Sequence, residues 1–535
     1  MEGATKAPER PAGRAPAEGR TLVRASVLVS ALSFVPKVLG IFRDAAAASI
    51  FGAGAAMDAF VFAKSIADML ASWTETPVRS AFVPLFTRKL HEEGEAGAWR
   101  VASNLVNSLA LALLALVGGL AVIFGAIWYA FGAGFGAGAG GGAGEVPNWL
   151  AGLRLGQITV VSVAFSVSAV VLGSISNVYG RQFVPAIGRV INGAVVLLGV
   201  LFLGPRYGVL GYAWAFLLAG VLYGASQTDV LVRNRHLYRP VVAPRAPEIR
   251  EVGLLALPLF IATLSPFLDT QIEWLLTLRF LPVGSLAVLS YARSVSGVAT
   301  ELLVTVVVAV LLPHFAQLTV AGRIEELKRR AAQTVSGYLF CMIPVAVFLV
   351  VGAREVIEVV YRRGRFSPED ALVTAAVLAI LACGDPLMGV GQILAQIHIA
   401  RGDTKTPMKV GFWRIGFKAV TSVALLPFLG LYGLAASSSL ANLFRTLQLW
   451  WRLPREIRPG WDLLGRTAAG LIASGAIAGA ATWGALATLP EFGHGTVPQL
   501  VRIGLAGFVT CAVYLAAVMV FAREVPVKMF RALRG

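Results

Sequence analysis

The chain has 535 residues, of which 57% are apolar and only 14% charged, with a formal net charge of +17. A soluble protein of this length would form roughly two to four domains under a much more charged surface, so composition excludes that class. The charge does not indicate a nucleic-acid binder: basic residues fall in short clusters between apolar runs and form no stripe interleaved with aromatics.

The first twenty residues, MEGATKAPERPAGRAPAEGR, are rich in Pro, Gly and Ala and hold no apolar run. They read as a disordered cytoplasmic tail, 1–21, and not as a cleaved signal peptide. Apolar runs of bilayer-spanning length then recur. Lipid gives backbone groups no partners, so each run must be helical. The predicted spans are 22–42, 57–85, 102–131, 150–177, 183–204, 207–232, 252–281, 285–318, 334–361, 370–400, 408–429, 431–451, 465–489 and 499–522, about fourteen in all. A second cytoplasmic tail, 523–535, follows. The fold class is an all-α polytopic membrane protein.

Alternate connections carry the positive charge: Arg88, Lys89 and Arg100; Arg233, Arg235 and Arg239; Arg323, Lys328, Arg329 and Arg330; Arg401, Lys405 and Lys409; Arg452, Arg455 and Arg458. The connection 132–149 has no Lys or Arg and reads as a flexible Gly/Ala linker, since no strand or Lys-Ser/Thr makes it a phosphate loop. By the positive-inside rule both termini are predicted to be cytoplasmic.

The two halves echo each other. FGAGAAMDAF (51–60) parallels LPVGSLAVLSYA (281–292), and AFVPLF (81–86) parallels VLLPHF (310–315). GRQFVPAIG (180–188) parallels RGDTKTPMK (401–409), and YGVLGYA (207–213) parallels YGLAASS (432–438); the offsets are 230, 229, 222 and 225 residues. Six spans per half is even, so the halves enter the membrane in the same sense, as parallel repeats. The predicted domains are an N-terminal six-helix bundle (22–232), a C-terminal six-helix bundle (252–451) and two additional transmembrane helices (465–522).

Several segments resemble motifs of the lipid II flippase family MurJ (MviN): KVLGIFRDAAAASIFGAGAAMDAF, SAFVPLFTRKL, GSISNVYGRQFVPAIGRVING, LSYARSV, VVYRRGRFSPEDALVTAAVLA and IARGDTKTPMKV. The resemblance implies the multidrug/oligosaccharidyl-lipid/polysaccharide exporter fold, with two bundles around a central cavity. It also implies movement of the undecaprenyl-pyrophosphate-linked peptidoglycan precursor, lipid II, between leaflets of the bacterial cytoplasmic (inner) membrane. The implied partners are lipid II or a similar polyprenyl-pyrophosphate glycolipid, membrane lipids and cell-wall synthesis proteins. Two other readings stay open: export of another polyprenyl-linked oligosaccharide, and a non-transporting scaffold for cell-wall synthesis.

Physical chemistry gives the embedded charges a purpose in such a protein. An anionic diphosphate cannot enter hydrocarbon without losing its hydration, and cations lining a wet cavity replace that water. Family positions carry over to Lys37, Arg43 and Arg293 as substrate-binding residues, with Lys37 standing where the pattern has arginine. Asp58, Glu75, Arg79 and Glu301 are cavity acidic or gating candidates. Of these, Asp58 and Glu75 are expected either to pair with cavity cations or to make structural helix-to-helix contacts, Arg79 to compensate for an arginine pair that the family has near Leu70 and Ala71, and Glu301 to balance Arg293. Asp269 and Glu273, one helical turn apart, are candidate proton or cation carriers or members of interhelical salt bridges. Arg414 and Lys418, also one turn apart, disfavour a bound sodium ion. A positively charged empty cavity would feel the membrane potential.

No HExxH, GxSxG or Walker pattern is present, so the chain reads as a transporter and not an enzyme. Cys341, Cys383 and Cys511 stand singly, and the five histidines show no ligand spacing; neither a metal nor another cofactor is expected.

Overall fold

The computed structural model describes residues 34–136, 148–458, 461–489 and 496–527. The predicted tail 1–21, residues 528–535 of the predicted tail 523–535, the start of the first span and the centre of the 132–149 linker lie outside them. Among the described residues the chain forms fourteen helices and no strand. These are α1 (34–51), α2 (Ala55–Glu92), α3 (Gly94–Gly136), α4 (Asn148–Val178), α5 (Phe183–Ser226), α6 (Asp229–Arg233) and α7 (Pro247–Phe280). They continue with α8 (Ser285–Val320), α9 (Ile324–Val351), α10 (Ala353–Tyr361), α11 (Pro368–Ala400), α12 (Lys405–Arg452), α13 (Trp461–Thr488) and α14 (Thr496–Phe521).

Eight of these are apolar and long enough to cross a membrane. Two of the eight, α5 and α12, are each two spans folded at a glycine. Gly208 has φ 63° and ψ −150°, and Gly430 has φ 54° and ψ −128°. Side chains cannot follow that backbone, and Pro205 and Pro427, three residues earlier, weaken each helix just before its bend. With α1 and α2, whose charges lower their hydropathy, α7, whose two parts qualify together, and α8, the crossings number fourteen. The short α6 and α10 are not among them.

The internal repeat is written into the backbone. Gly52 and Gly284, Gly94 and Gly322, Gly180 and Gly402, and Gly208 and Gly430 all have positive φ, and the pairs lie 232, 228, 222 and 222 residues apart. Each pair marks the same boundary in the two halves.

Several predicted boundaries move. The first span, predicted to end at residue 42, is helical to residue 51; Arg43 and Asp44 look like a water boundary but find partners inside the protein. The predicted span 334–361 divides at Gly352 into α9 and α10. At the start of α11, Ser367 accepts a hydrogen bond from the Asp370 N–H at 3.0 Å and Asp370 accepts one from the Ser367 N–H at 3.2 Å, a capping box.

The hydrophobic cores show how the halves meet. One continuous cluster joins both halves around the turns that precede α2 and α8, including Ala47, Phe60, Tyr212, Leu286, Tyr291 and Tyr361. At the opposite end the packing separates. Phe82, Trp99 and Ile175 of the first half form one cluster with Val252 at the start of α7, and Phe315, Leu327, Ile393 and Leu449 of the second half form another. The molecule is joined at the glycine-turn end and divided at the other. Helix α7 serves both sides. Its first part packs beside α2, where the Trp73 indole donates to the Phe260 carbonyl at 3.0 Å, and its second part is ion-paired to α8 and α12. Helices α13 and α14 pack against α9 through Ile343, Leu471 and Tyr514.

Candidate functional site

Between α1, α7 and α8 lies a cavity of about 300 Å³, lined by Lys37, Arg43, Asp44, Trp274, Arg293, Ser294 and Glu301. A second cavity of about 480 Å³ lies among α1, α2, α4 and α5, lined by Arg43, Lys64, Asp68, Glu75, Arg189, Asn192 and Tyr223 among others. Arg43 faces both. The three predicted substrate cations, Lys37, Arg43 and Arg293, therefore line one chamber, with α1 contributing two and α8 the third.

Each of those cations meets a carboxylate. Arg43 donates to Asp44 at 2.7–2.8 Å, and the Ser294 hydroxyl of α8 donates to the other Asp44 oxygen at 2.5 Å. Arg293 donates to both oxygens of Glu273, at 2.5 and 2.6 Å, and reaches the Ser438 hydroxyl at 3.3 Å. Lys37 is ion-paired with Glu301. The assignment of Glu301 to Arg293 is thus corrected. Eight residues of helix rise about 12 Å, too far for the two side chains to close along one helix, whereas α1 presents Lys37 directly to Glu301.

Behind Arg293 the network continues through α7 to α12. Lys418 bonds Glu273 and also Asp269, the latter at 3.2 Å, and Arg414 lies 3.3 Å from Asp269. Both predicted carriers, Asp269 and Glu273, are consumed in interhelical ion pairs. Glu273 has no exposed side-chain surface. Charges so deep persist only when paired and hydrogen-bonded. In this α7–α8–α12 network three cations, Arg293, Arg414 and Lys418, meet two carboxylates, Asp269 and Glu273.

Asp58 does not meet a cavity cation. It is buried, and its two oxygens accept hydrogen bonds from the backbone N–H groups of Gly284, at 2.6 Å, and Ala287, at 2.8 Å. The N-cap of α8 is Gly284 itself, which has no side chain to cap the exposed N–H groups. Asp58 supplies that cap from α2 and sits favourably at the positive end of the α8 dipole. It clasps the two halves at the joined end.

Glu75 lines the larger cavity, while Arg79, one turn on, is exposed and lines neither chamber. Leu70 is buried and Ala71 presents apolar surface to the larger cavity. Besides Arg43, the cations there are Lys64, ion-paired with Asp68, and Arg189. Sequence reasoning missed Arg189 as a site residue, although a lone arginine seven residues into the apolar helix α5 was a usable signal. It also left Asp44 without a role; only the fold brings Ser294 to it.

A family model described as "Lipid II flippase MurJ" matches residues 47–502. The probable lipid II flippase MurJ of Vibrio cholerae is 27% identical, over 87% of this chain and 89% of that protein. The probable lipid II flippase MurJ of Rhizobium tropici is 25% identical, over 92% and 93%. Among solved structures, the fold is similar to a lipid II flippase MurJ in an inward closed conformation, with TM-score 0.72 and 22% identity over 93% of this chain and 99% of that one. It is also similar to an inward-facing multidrug resistance MATE family transporter of the MOP superfamily, with TM-score 0.60 and 15% identity over 79% and 93%. With the family match covering most of its length, and the exporter architecture present in its helices, the chain belongs to the MurJ family of lipid II flippases.

Proposed function

We propose that this multi-pass membrane protein moves lipid II from the inner to the outer leaflet of the bacterial cytoplasmic membrane by alternating access, with both termini in the cytoplasm. The observation that carries the reading is the convergence of Lys37, Arg43 and Arg293, from two halves of a repeated fold, on one chamber. Arginine forks donate paired hydrogen bonds to phosphate oxygens and stay charged, so Arg43 and Arg293 replace the water that a diphosphate loses on leaving the aqueous phase. The divided end of the molecule carries the basic connections and faces the cytoplasm in this reading, and the joined glycine-turn end seals the outer side. Rocking about the chamber exposes the head group first to one side and then to the other, while the prenyl tail stays in lipid.

Family membership and the cation chamber together favour lipid II over other prenyl-linked glycans. The test is complementation: cells depleted of their own lipid II flippase grow when they express this chain. Accumulation of lipid II in the inner leaflet despite good expression in the membrane would refute the assignment.

A further inference from the structure

The three carboxylates that pair with the cavity cations differ in how firmly they are held. Glu273 is fully enclosed and bonded to Lys418 as well as Arg293. Asp44 is 10% exposed and held by Ser294 as well as Arg43. Glu301 is 60% exposed and, among the described residues, has Lys37 as its one partner. Breaking a buried, multiply bonded ion pair is strongly unfavourable, whereas an exposed pair contributes little. The Lys37–Glu301 pair joins α1 to α8.

We propose that Glu301 is a built-in counter-anion that holds Lys37 in the empty protein and is displaced from it by the diphosphate of an arriving substrate. This deepens the flippase reading and rests on it. Ion-pair exchange at Lys37 is then the first step of head-group capture: the ligand's oxygens take the ammonium, the exposed Glu301 side chain swings into water, and the α1–α8 link is released only when a sufficiently anionic group is present. Glu301 is on this account a specificity-determining residue. Neutral or singly charged head groups compete poorly with its carboxylate, and diphosphates compete well.

The experiment measures binding of inorganic pyrophosphate to the purified full-length chain by calorimetry at low ionic strength, where surface charge is least screened. Glu301→Gln is expected to bind about two- to fivefold more tightly than the unaltered chain, the range an exposed pair supports. Lys37→Gln is expected to bind more weakly, and Lys37→Gln combined with Glu301→Gln no more tightly than Lys37→Gln alone. Unchanged affinity in Glu301→Gln would overturn the inference. So would an equal gain when Lys37 is absent, because the carboxylate would then act by long-range repulsion and not through Lys37. Arg43→Gln serves as the control: if the unaltered chain shows no pyrophosphate binding that this variant abolishes, the diphosphate reading itself falls and the inference with it.

Discussion

At the scale of single residues the question is which charges hold the fold and which serve a ligand. Glu273 answers two cations at once, with no exposed surface. Replacing it by alanine leaves Arg293 without its carboxylate and Lys418 with Asp269 alone, and stranding a buried charge is destabilising by about 3–5 kcal/mol. Glu273→Ala is therefore expected to lower the midpoint of thermal unfolding in detergent well below that of Glu301→Gln, whose pair is exposed. Equal midpoints would show that the network does not stabilise the fold. The cations themselves were legible in the sequence, because a charge inside an apolar run is conspicuous. Their partners were not: Ser294 is 250 residues from Asp44, and Lys418 is 145 from Glu273. For Asp58 the sequence leaves a cavity role and a helix-to-helix role open, because nothing in a linear reading shows that the N-terminus of α8 lacks a cap of its own.

At the scale of elements, glycine decided most of what could be read. The bends at Gly208 and Gly430 fall where the sequence divides 183–204 from 207–232 and 408–429 from 431–451, and both glycines occupy backbone that is close to glycine-only. A Cβ at Gly208 would meet nothing within 4 Å, so Gly208→Ala isolates the backbone penalty, about 1–3 kcal/mol. Gly430→Ala, where the nearest atom to the Cβ is a Leu281 methyl at 3.7 Å, is expected to lose stability by a similar amount, since the repeat places it at the same bend. A loss confined to one of the two, by chemical denaturation in detergent, would contradict that equivalence. Charge misled the same reading: Arg43 and Asp44 ended the first predicted span nine residues early, because a side-chain pair folded into a chamber resembles a helix end at the water boundary.

For the whole molecule, composition alone announced a helical membrane protein, and near-constant offsets between halves announced a repeat. Neither could show which ends of the bundles touch. That depends on packing: one core shared around Tyr291 and Tyr361, and two separate cores at the far end. This asymmetry gives the chamber a single divided side and makes Arg43, which faces both cavities, its central cation. The most direct test of the account is the amount of lipid II exposed on the outer leaflet of cells that depend on this chain, measured with Arg43→Ala and with Arg293→Ala at matched membrane levels. The account expects exposure to fall to the level of flippase-depleted cells in both variants; normal exposure in either would contradict it.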